Sequence, residues 1–404
     1  MLDLTSNFLG SHHVTVYYFN PNIHPEAEFA EAGEHERLEE MQEFIRCLKN
    51  KTVFLADHIS VPFRAKANLP EDKEELISDI QKVMDNLPEE RMQAHRQMAE
   101  NYFSGGSIMK YNGNLYRPPI EANTLLLPIT EGCSHNGCAF CNMYQGIPFR
   151  MLSLAEVEEY LGAIRKEYGA FAGRIQRIYL VGADPFALSA SRLLERIRLI
   201  KKYLPNIKII TMYARVDNIT HKSDSDLAVL KEAGVNDLYI GVECGLDDVL
   251  ENLNKGYKAA DIRREVSRLN AAGIRHSDLL MLGTAGKGRG AESAKAMADL
   301  ENELHPNKIL INTMSAFVGT RLDRDIKEGK FTPATERENL EEERDFLAAL
   351  NLPDTYFWSL HPLDSVRIDG ILREKKEEML KTLDDAIDNA NHFNINRISR
   401  TGNL

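Results

Sequence analysis

Three of the chain's five cysteines fall within nine residues, in Cys133-Ser-His-Asn-Gly-Cys138-Ala-Phe-Cys141, while Cys47 and Cys244 stand apart. Thiolates gathered by so short a segment bind metal or do redox chemistry, because the local chain itself brings them together. Two centres suit the set. His135, inside the loop, can complete a four-ligand structural zinc site. A cubane iron–sulfur cluster held by three cysteines instead keeps one iron open to a further ligand. A zinc knuckle usually stabilises a small module, so the place of the loop in the fold bears on the choice.

The elements around the loop supply that place. From about residue 124 short runs rich in Ile, Leu and Val recur, at Thr124–Ile129, Ile175–Val181, Ile207–Tyr213, Asp237–Val242, Ile274–Leu282 and Lys308–Met314. Runs of this kind predict parallel strands covered on both faces. Between them lie amphipathic stretches. Ser153-Leu-Ala-Glu156 is a capping box that opens a helix with Leu154, Val157, Leu161, Ile164 and Tyr168 on one face. Further helices are predicted at Ser189–Tyr203, Ser225–Ala233, Ala259–Ala272 and Ala291–Leu304, with Gly234 and Gly273 as C-caps. Six β-then-α units imply an α/β fold with a parallel barrel or open doubly wound sheet. Ligands then sit at the carboxyl ends of the strands. The unusual residues fall there: the cysteine loop, Gly182-Ala-Asp184-Pro185, Tyr213-Ala-Arg215-Val-Asp217, Gly241-Val-Glu243-Cys-Gly245 and Gly283-Thr-Ala-Gly286-Lys-Gly288.

A strand, a three-cysteine loop with an aromatic before its last cysteine, and a capped helix resemble the radical S-adenosylmethionine (radical SAM) superfamily. The likeness runs over roughly residues 120–320. The first gap between cysteines holds four residues, one more than the usual spacing, and the second holds two. The resemblance implies a partial parallel (β/α)6 TIM-like barrel at 120–320. It also implies one 4Fe-4S cluster on Cys133, Cys138 and Cys141, with S-adenosyl-L-methionine (SAM) chelated to the free iron. Electron transfer from a low-potential donor of the flavodoxin or ferredoxin type would cleave SAM to a 5′-deoxyadenosyl radical. That radical would take a hydrogen atom from a substrate, the cofactor carrying the hard chemistry.

Residue by residue, the resemblance places Phe140 by the adenine, Gly182 and Asp184 at the SAM amino group, and Arg215 and Glu243 around the methionine and ribose. Lys255, in Asn254-Lys255-Gly256, would pair the SAM carboxylate as a point charge. Gly283 would allow close backbone approach to ribose or adenine; its segment lacks the order of a phosphate loop. Each residue also has a plainer reading: core packing for Phe140, a solvated helix-end lysine for Lys255, a helix-capping carboxylate for Glu243. His276 and Asp278 alternate on one face of a strand, where burial and catalysis are both open. His361 fits a surface turn or a substrate contact.

Two cysteines remain beyond the loop, too few for a second cluster. The substrate class stays open among a small metabolite, a tetrapyrrole and a modified nucleoside. The alternative from another class is a non-catalytic iron–sulfur or zinc-binding scaffold. The 404 residues carry 49 Lys+Arg against 61 Asp+Glu, a net charge of −12, which disfavours general nucleic-acid binding, with tRNA left open. No run of about 18 apolar residues exists to span a membrane. The start lacks signal-peptide character, so a cytoplasmic protein is expected. Residues 1–119 read as an N-terminal α/β extension for docking or structure, with a strand at Val14–Phe19, a strand at Thr52–Ala56 and charged helices. The turn Asn20-Pro-Asn-Ile-His24-Pro resembles a fragment of the epoxyqueuosine reductase family of the QueH type, without that family's paired cysteines. Residues 321–404 read as a C-terminal helical cover, with helices at Glu336–Leu350 and Arg373–Ala390.

Overall fold

A computed structural model describes residues 8–10, 32–56, 65–93, 115–122, 124–361 and 363–389. The chain divides into two compact units, Met1–Lys110 and Tyr111–Leu404. In the first, β1 (Phe8–Gly10) runs parallel to β2 (Thr52–Ala56), which pairs antiparallel with β3 (Ala65–Leu69). Helices α1 (Glu34–Cys47) and α2 (Lys73–Asn86) pack on this sheet around Leu38, Ile45, Phe54, Leu69 and Ile80. The strand expected at 14–19 and the turn after it lie outside the described residues.

The second unit contains the six expected β-then-α repeats. Its strands are β4 (Leu125–Pro128), then, after the short hairpin β5 (Thr130–Glu131) and β6 (Arg150–Met151), β7 (Arg177–Val181), β8 (Ile209–Ala214), β9 (Leu238–Glu243), β10 (His276–Leu282) and β11 (Lys308–Thr313). All six repeat strands are parallel and neighbours in chain order. Two strands beyond the sequence expectation, β12 (Tyr356–Ser359) and antiparallel β13 (Ile368–Ile371), extend the sheet past β11. The C-terminal stretch therefore adds sheet as well as helical cover. Phe357 and Trp358 are fully or nearly buried, which explains why so short a segment pairs stably.

Helix α3 (Leu154–Tyr168) starts on the anticipated capping box: Ser153 Oγ accepts the Glu156 N–H and Glu156 accepts the Ser153 N–H. Such a cap contributes about 1 kcal/mol. Val157, Leu161 and Ile164 face the sheet as expected, but Leu154, in the first turn, is exposed and Tyr160 is buried in its stead. The remaining helices are α4 (Ala190–Tyr203), α5 (Val216–Thr220), α6 (Asp224–Glu232), α7 (Asp247–Asn252), α8 (Ala259–Ala271), α9 (Gly290–Leu304), α10 (Arg321–Lys327), α11 (Glu336–Ala349) and α12 (Leu372–Asp388). Gly234 and Gly273 follow α6 and α8 at φ of 106° and 71°, a backbone region closed to most side chains, and turn the chain into the next strand.

The sheet is strongly curled. Glu121, just before β4, accepts a hydrogen bond from Tyr239 on β9, three strands away, a span of about 14 Å if the sheet were flat. The inward face gathers Leu126, Tyr179, Val181, Tyr239, Leu310 and Trp358 into one cluster. Outward residues such as Ile178, Leu180, Ile210, Met212 and Ile240 are buried under the helices. Among the described residues no helix is long and apolar enough to cross a membrane.

Candidate functional site

The cysteine loop leaves the hairpin strand β5 at the carboxyl end of β4, and residues from far along the chain pin it. Asp184, after β7, accepts from the Ser134 N–H at 3.0 Å and from the Ser134 hydroxyl. Asn254, after α7, donates from Nδ2 to the Gly137 carbonyl at 2.6 Å, and its own carbonyl lies 2.6 Å from His135 Nε2. The Ala139 N–H donates to Leu253, and the Ala139 carbonyl accepts from Leu322 on α10. Backbone amides inside the loop turn toward sulfur, with Asn136 N–H donating to Cys133 Sγ at 3.3 Å.

The three thiols are free and half-buried. Their environments differ. Burial pushes Cys141 up to about 11, the neighbouring sulfurs adding to the effect. Burial, then the Asp184 charge, also raises Cys133. Burial acts the same way on Cys138, but Lys255, His135 and Arg215 outweigh it and hold that thiol below its ordinary value. Among the described residues no three His, Cys, Asp or Glu side chains are gathered as ligands of a single metal ion.

Beside Cys138 lies a buried group of charges. Glu243 ends β9 with φ of 68°, a conformation that costs a non-glycine residue about 1 kcal/mol or more. Its Oε1 pairs with Lys255 Nζ at 2.8 Å, and both residues are buried. Gly241 makes the pair possible, since a Cβ there would stand 2.6 Å from Glu243 Oε1 and 3.2 Å from Lys255 Nζ. Burial opposes the Lys255 charge, yet Glu243 and further anionic neighbours hold its pKa well above the ordinary lysine value. Arg215, after β8, donates to the Lys255 carbonyl and to Asp217, and its Nη1 is 3.9 Å from Cys138 Sγ. Lys255 sits 5.9 Å from the Phe140 ring centroid and 5.5 Å from that of Tyr257, and the Arg215 guanidinium lies 5.4 Å from the latter. Such cation–ring contacts favour a charge held away from water.

Of the anticipated cofactor residues, Phe140, Arg215, Glu243 and Lys255 meet around Cys138. Asp184 reaches the loop through Ser134. Gly182 has its open side against Thr130, whose hydroxyl a Cβ would strike. Gly283 faces α11: its N–H donates to Glu342, and a Cβ would stand 2.7 Å from Asn339 Oδ1. His276 and Asp278 bond each other at 2.8 Å on the buried outer face of β10, with His276 Nε2 3.2 Å from the Leu304 carbonyl of α9. His361 Nδ1 accepts from the Leu363 N–H in a turn. Sequence reasoning missed Tyr257, Asn254 and Ser134. Tyr257 had a signal, an aromatic two residues after Lys255; the other two are fixed by distant partners.

The donor set suits a thiolate-bound cluster and an amino acid ligand. Three free thiols share a loop, two cations stand by the sulfurs, and a buried carboxylate faces a buried ammonium. Opposite charges held so can exchange their mutual pairing for the ammonium and carboxylate of a zwitterion.

Residues 127–300 match the radical SAM superfamily. Over 161 residues the chain is 29% identical to "Heme chaperone HemW" of Bacillus subtilis, an alignment covering 38% of this chain and 41% of that protein. Thus the chain spans less than half the length of this curated relative. Among solved structures, the Elp3 of Methanocaldococcus infernus aligns with a TM-score of 0.43 and 13% identity, over 64% of this chain and 63% of that one. Coproporphyrinogen III oxidase (HemN) of Escherichia coli aligns with a TM-score of 0.41 and 16% identity, over 56% of this chain and 51% of that one. Over residues 127–300, less than half of the chain, the sequence is thus similar to the radical SAM superfamily, whose members bind a 4Fe-4S cluster and SAM.

Proposed function

We propose that the protein is a radical SAM enzyme in which Cys133, Cys138 and Cys141 hold the cluster. Glu243 takes the SAM ammonium, while Lys255 and Arg215 take its carboxylate. When bound, cluster and SAM supply a one-electron reductive cleavage that creates a strong hydrogen-atom acceptor. The chain's residues do the rest. Asp184 and Asn254 fix the cysteine loop, and the Glu243–Lys255 pair orients the amino acid end of SAM. Phe140 and Tyr257 wall the charges from water, which strengthens every ionic contact inside. The observation that carries the reading is the buried 2.8 Å Glu243–Lys255 pair beside Cys138, held by a carboxylate residue in left-handed backbone. A zinc knuckle or inert scaffold gives that pair no task. The electron donor is a low-potential protein of the flavodoxin or ferredoxin type, and the substrate is an organic molecule with an abstractable hydrogen.

The test is anaerobic reconstitution with iron and sulfide, followed by dithionite and SAM, with 5′-deoxyadenosine measured by chromatography. The expected result is 5′-deoxyadenosine from the native chain and none from Cys138→Ala. A colourless protein that retains one zinc overturns the proposal. The likeness to HemW favours haem carriage as a second reading. A haem absorbance band that titrates to one per chain, with no 5′-deoxyadenosine formed, would select it.

A further inference from the structure

The curled sheet holds three phenols that cofactor binding does not use. Tyr179 on β7, Tyr213 on β8 and Tyr239 on β9 stand on successive strands with their rings inward. The ring centroids are 5.8 Å apart for Tyr179–Tyr213 and 6.2 Å apart for both Tyr213–Tyr239 and Tyr179–Tyr239. Tyr179 and Tyr239 are fully buried and Tyr213 half-buried. Three phenylalanines would fill the same space. Buried tyrosine hydroxyls normally find a partner, yet the Tyr179 hydroxyl has none. The oxygens, not the rings, therefore need a reason.

Tyr213 and Tyr239 are register partners on β8 and β9, yet their surroundings differ. Tyr213 stands two residues before Arg215, and the charges of Glu243 and Glu121 both act on its phenol. Tyr239 donates its hydroxyl proton to Glu121 Oε1 at 2.5 Å, and Arg177 ion-pairs that carboxylate. An oxidised phenol is a strong acid, so a carboxylate in hydrogen-bond contact gives its proton a place to go. Trp358 lies in the same cluster.

We propose that Tyr213, Tyr179 and Tyr239 form a redox-active unit whose entry point, Tyr213, gives a hydrogen atom to a carbon-centred radical in the site. This rests on the enzymatic reading above. The Tyr213 O–H bond breaks and a C–H bond forms, leaving a phenoxyl on Tyr213. One electron then passes from Tyr239, directly or through Tyr179, while the Tyr239 proton moves to Glu121 and the half-buried Tyr213 takes a proton from solvent water. The low-potential donor returns one electron to Tyr239, and Glu121 returns the proton. Tyr213 is the catalytic residue of this unit, and Glu121 positions the proton.

Two measurements test it. The first uses the full chain without cluster or SAM, photo-oxidised by flash-quenched ruthenium tris-bipyridine and frozen for electron paramagnetic resonance. A persistent phenoxyl signal is expected in the native chain and its loss in Tyr239→Phe; an unchanged signal in that variant overturns the proposal. The second uses reconstituted protein with dithionite and SAM in heavy water. Deuterium from the exchanged Tyr213 hydroxyl is expected in the 5′-deoxyadenosine formed, and its loss in Tyr213→Phe. No deuterium in the native chain, or the same amount in Tyr213→Phe, overturns the proposal even if a variant folds poorly. A complete lack of 5′-deoxyadenosine strikes the enzymatic reading instead, and the photo-oxidation result then decides the array by itself.

Discussion

At the scale of single residues, the Glu243–Lys255 pair makes the sharpest demand. Two charges buried together repay their desolvation only as a pair, so removing one partner strands the other. Lys255→Met is expected to cost about 3–5 kcal/mol in stability, read by urea unfolding of the cluster-free chain. The double variant Glu243→Gln, Lys255→Met should recover most of that loss; a double variant as unstable as the single one would mean the pair is not coupled. SAM affinity behaves differently, because both variants lack the ammonium for its carboxylate. Equilibrium dialysis on reconstituted protein should show both weakened by tenfold or more, about 1.4 kcal/mol. Asp184 makes a different demand. Both its oxygens bond Ser134, so Asp184→Ala leaves the neck of the cysteine loop untied. Its expected effect is less iron and acid-labile sulfide per chain after reconstitution, with secondary structure by circular dichroism intact. Full iron loading in that variant would remove Asp184 from the set of loop anchors.

At the scale of elements, α11 carries a liability that pH should reveal. Glu342 and Glu343 lie on the face of α11 turned to β10, α9 and the turn after β12, with one oxygen of each lacking a hydrogen-bond partner. Burial pushes Glu342 up to about 7 and Glu343 up to about 8; Asp364, beside Glu343, is likewise raised to about 6 by burial. The folded state therefore keeps protons that the unfolded chain releases near the ordinary carboxyl value of 4.5. Between pH 4.5 and 8 the unfolded state binds fewer protons, so stability declines as pH rises and levels off above about 8. A thermal midpoint falling across that window, and flattened by Glu342→Gln with Glu343→Gln, is the expected outcome. An unaltered pH profile in the double variant would place the sensitivity elsewhere. This helix also shows what sequence could not supply. Its span was legible in the sequence, and the structure starts it on a capping box of Thr335 and Glu338. That Asn339 and Glu342 would occupy the space beside Gly283 depends on a partner more than fifty residues away. A glycine that admits a cofactor and one that admits a neighbouring helix look alike in sequence. The six strands, by contrast, were readable because burial on both faces writes an unbroken apolar run.

At the scale of the whole molecule, the two ends of the main sheet hold opposite kinds of charge arrangement. The carboxyl ends carry Arg215, Glu243 and Lys255 around the sulfurs, a group able to exchange partners with a ligand. The amino ends carry Glu121, Arg177, Asp237, Arg275 and Lys308, knit to one another across β4, β7, β9, β10 and β11. Spacing alone made the cysteine loop legible, whereas this second network was not. Each of its members reads as an ordinary charged residue at a strand start, and only the curl of the sheet brings them together. A closed network of paired charges at one end suits a seam that holds the curl, so its failure should loosen the sheet without touching the ligand end. Arg177→Met breaks two pairs, to Glu121 and to Asp237; Asp237 keeps Arg275 and Lys308, whereas the almost fully buried Glu121 loses the cation it pairs with. The expected loss is about 3 kcal/mol of unfolding free energy. Iron loading at a temperature well below the transition should stay native, because no cysteine-loop anchor touches the seam. A variant that stays stable but binds less iron would show the two ends to be coupled through the strands.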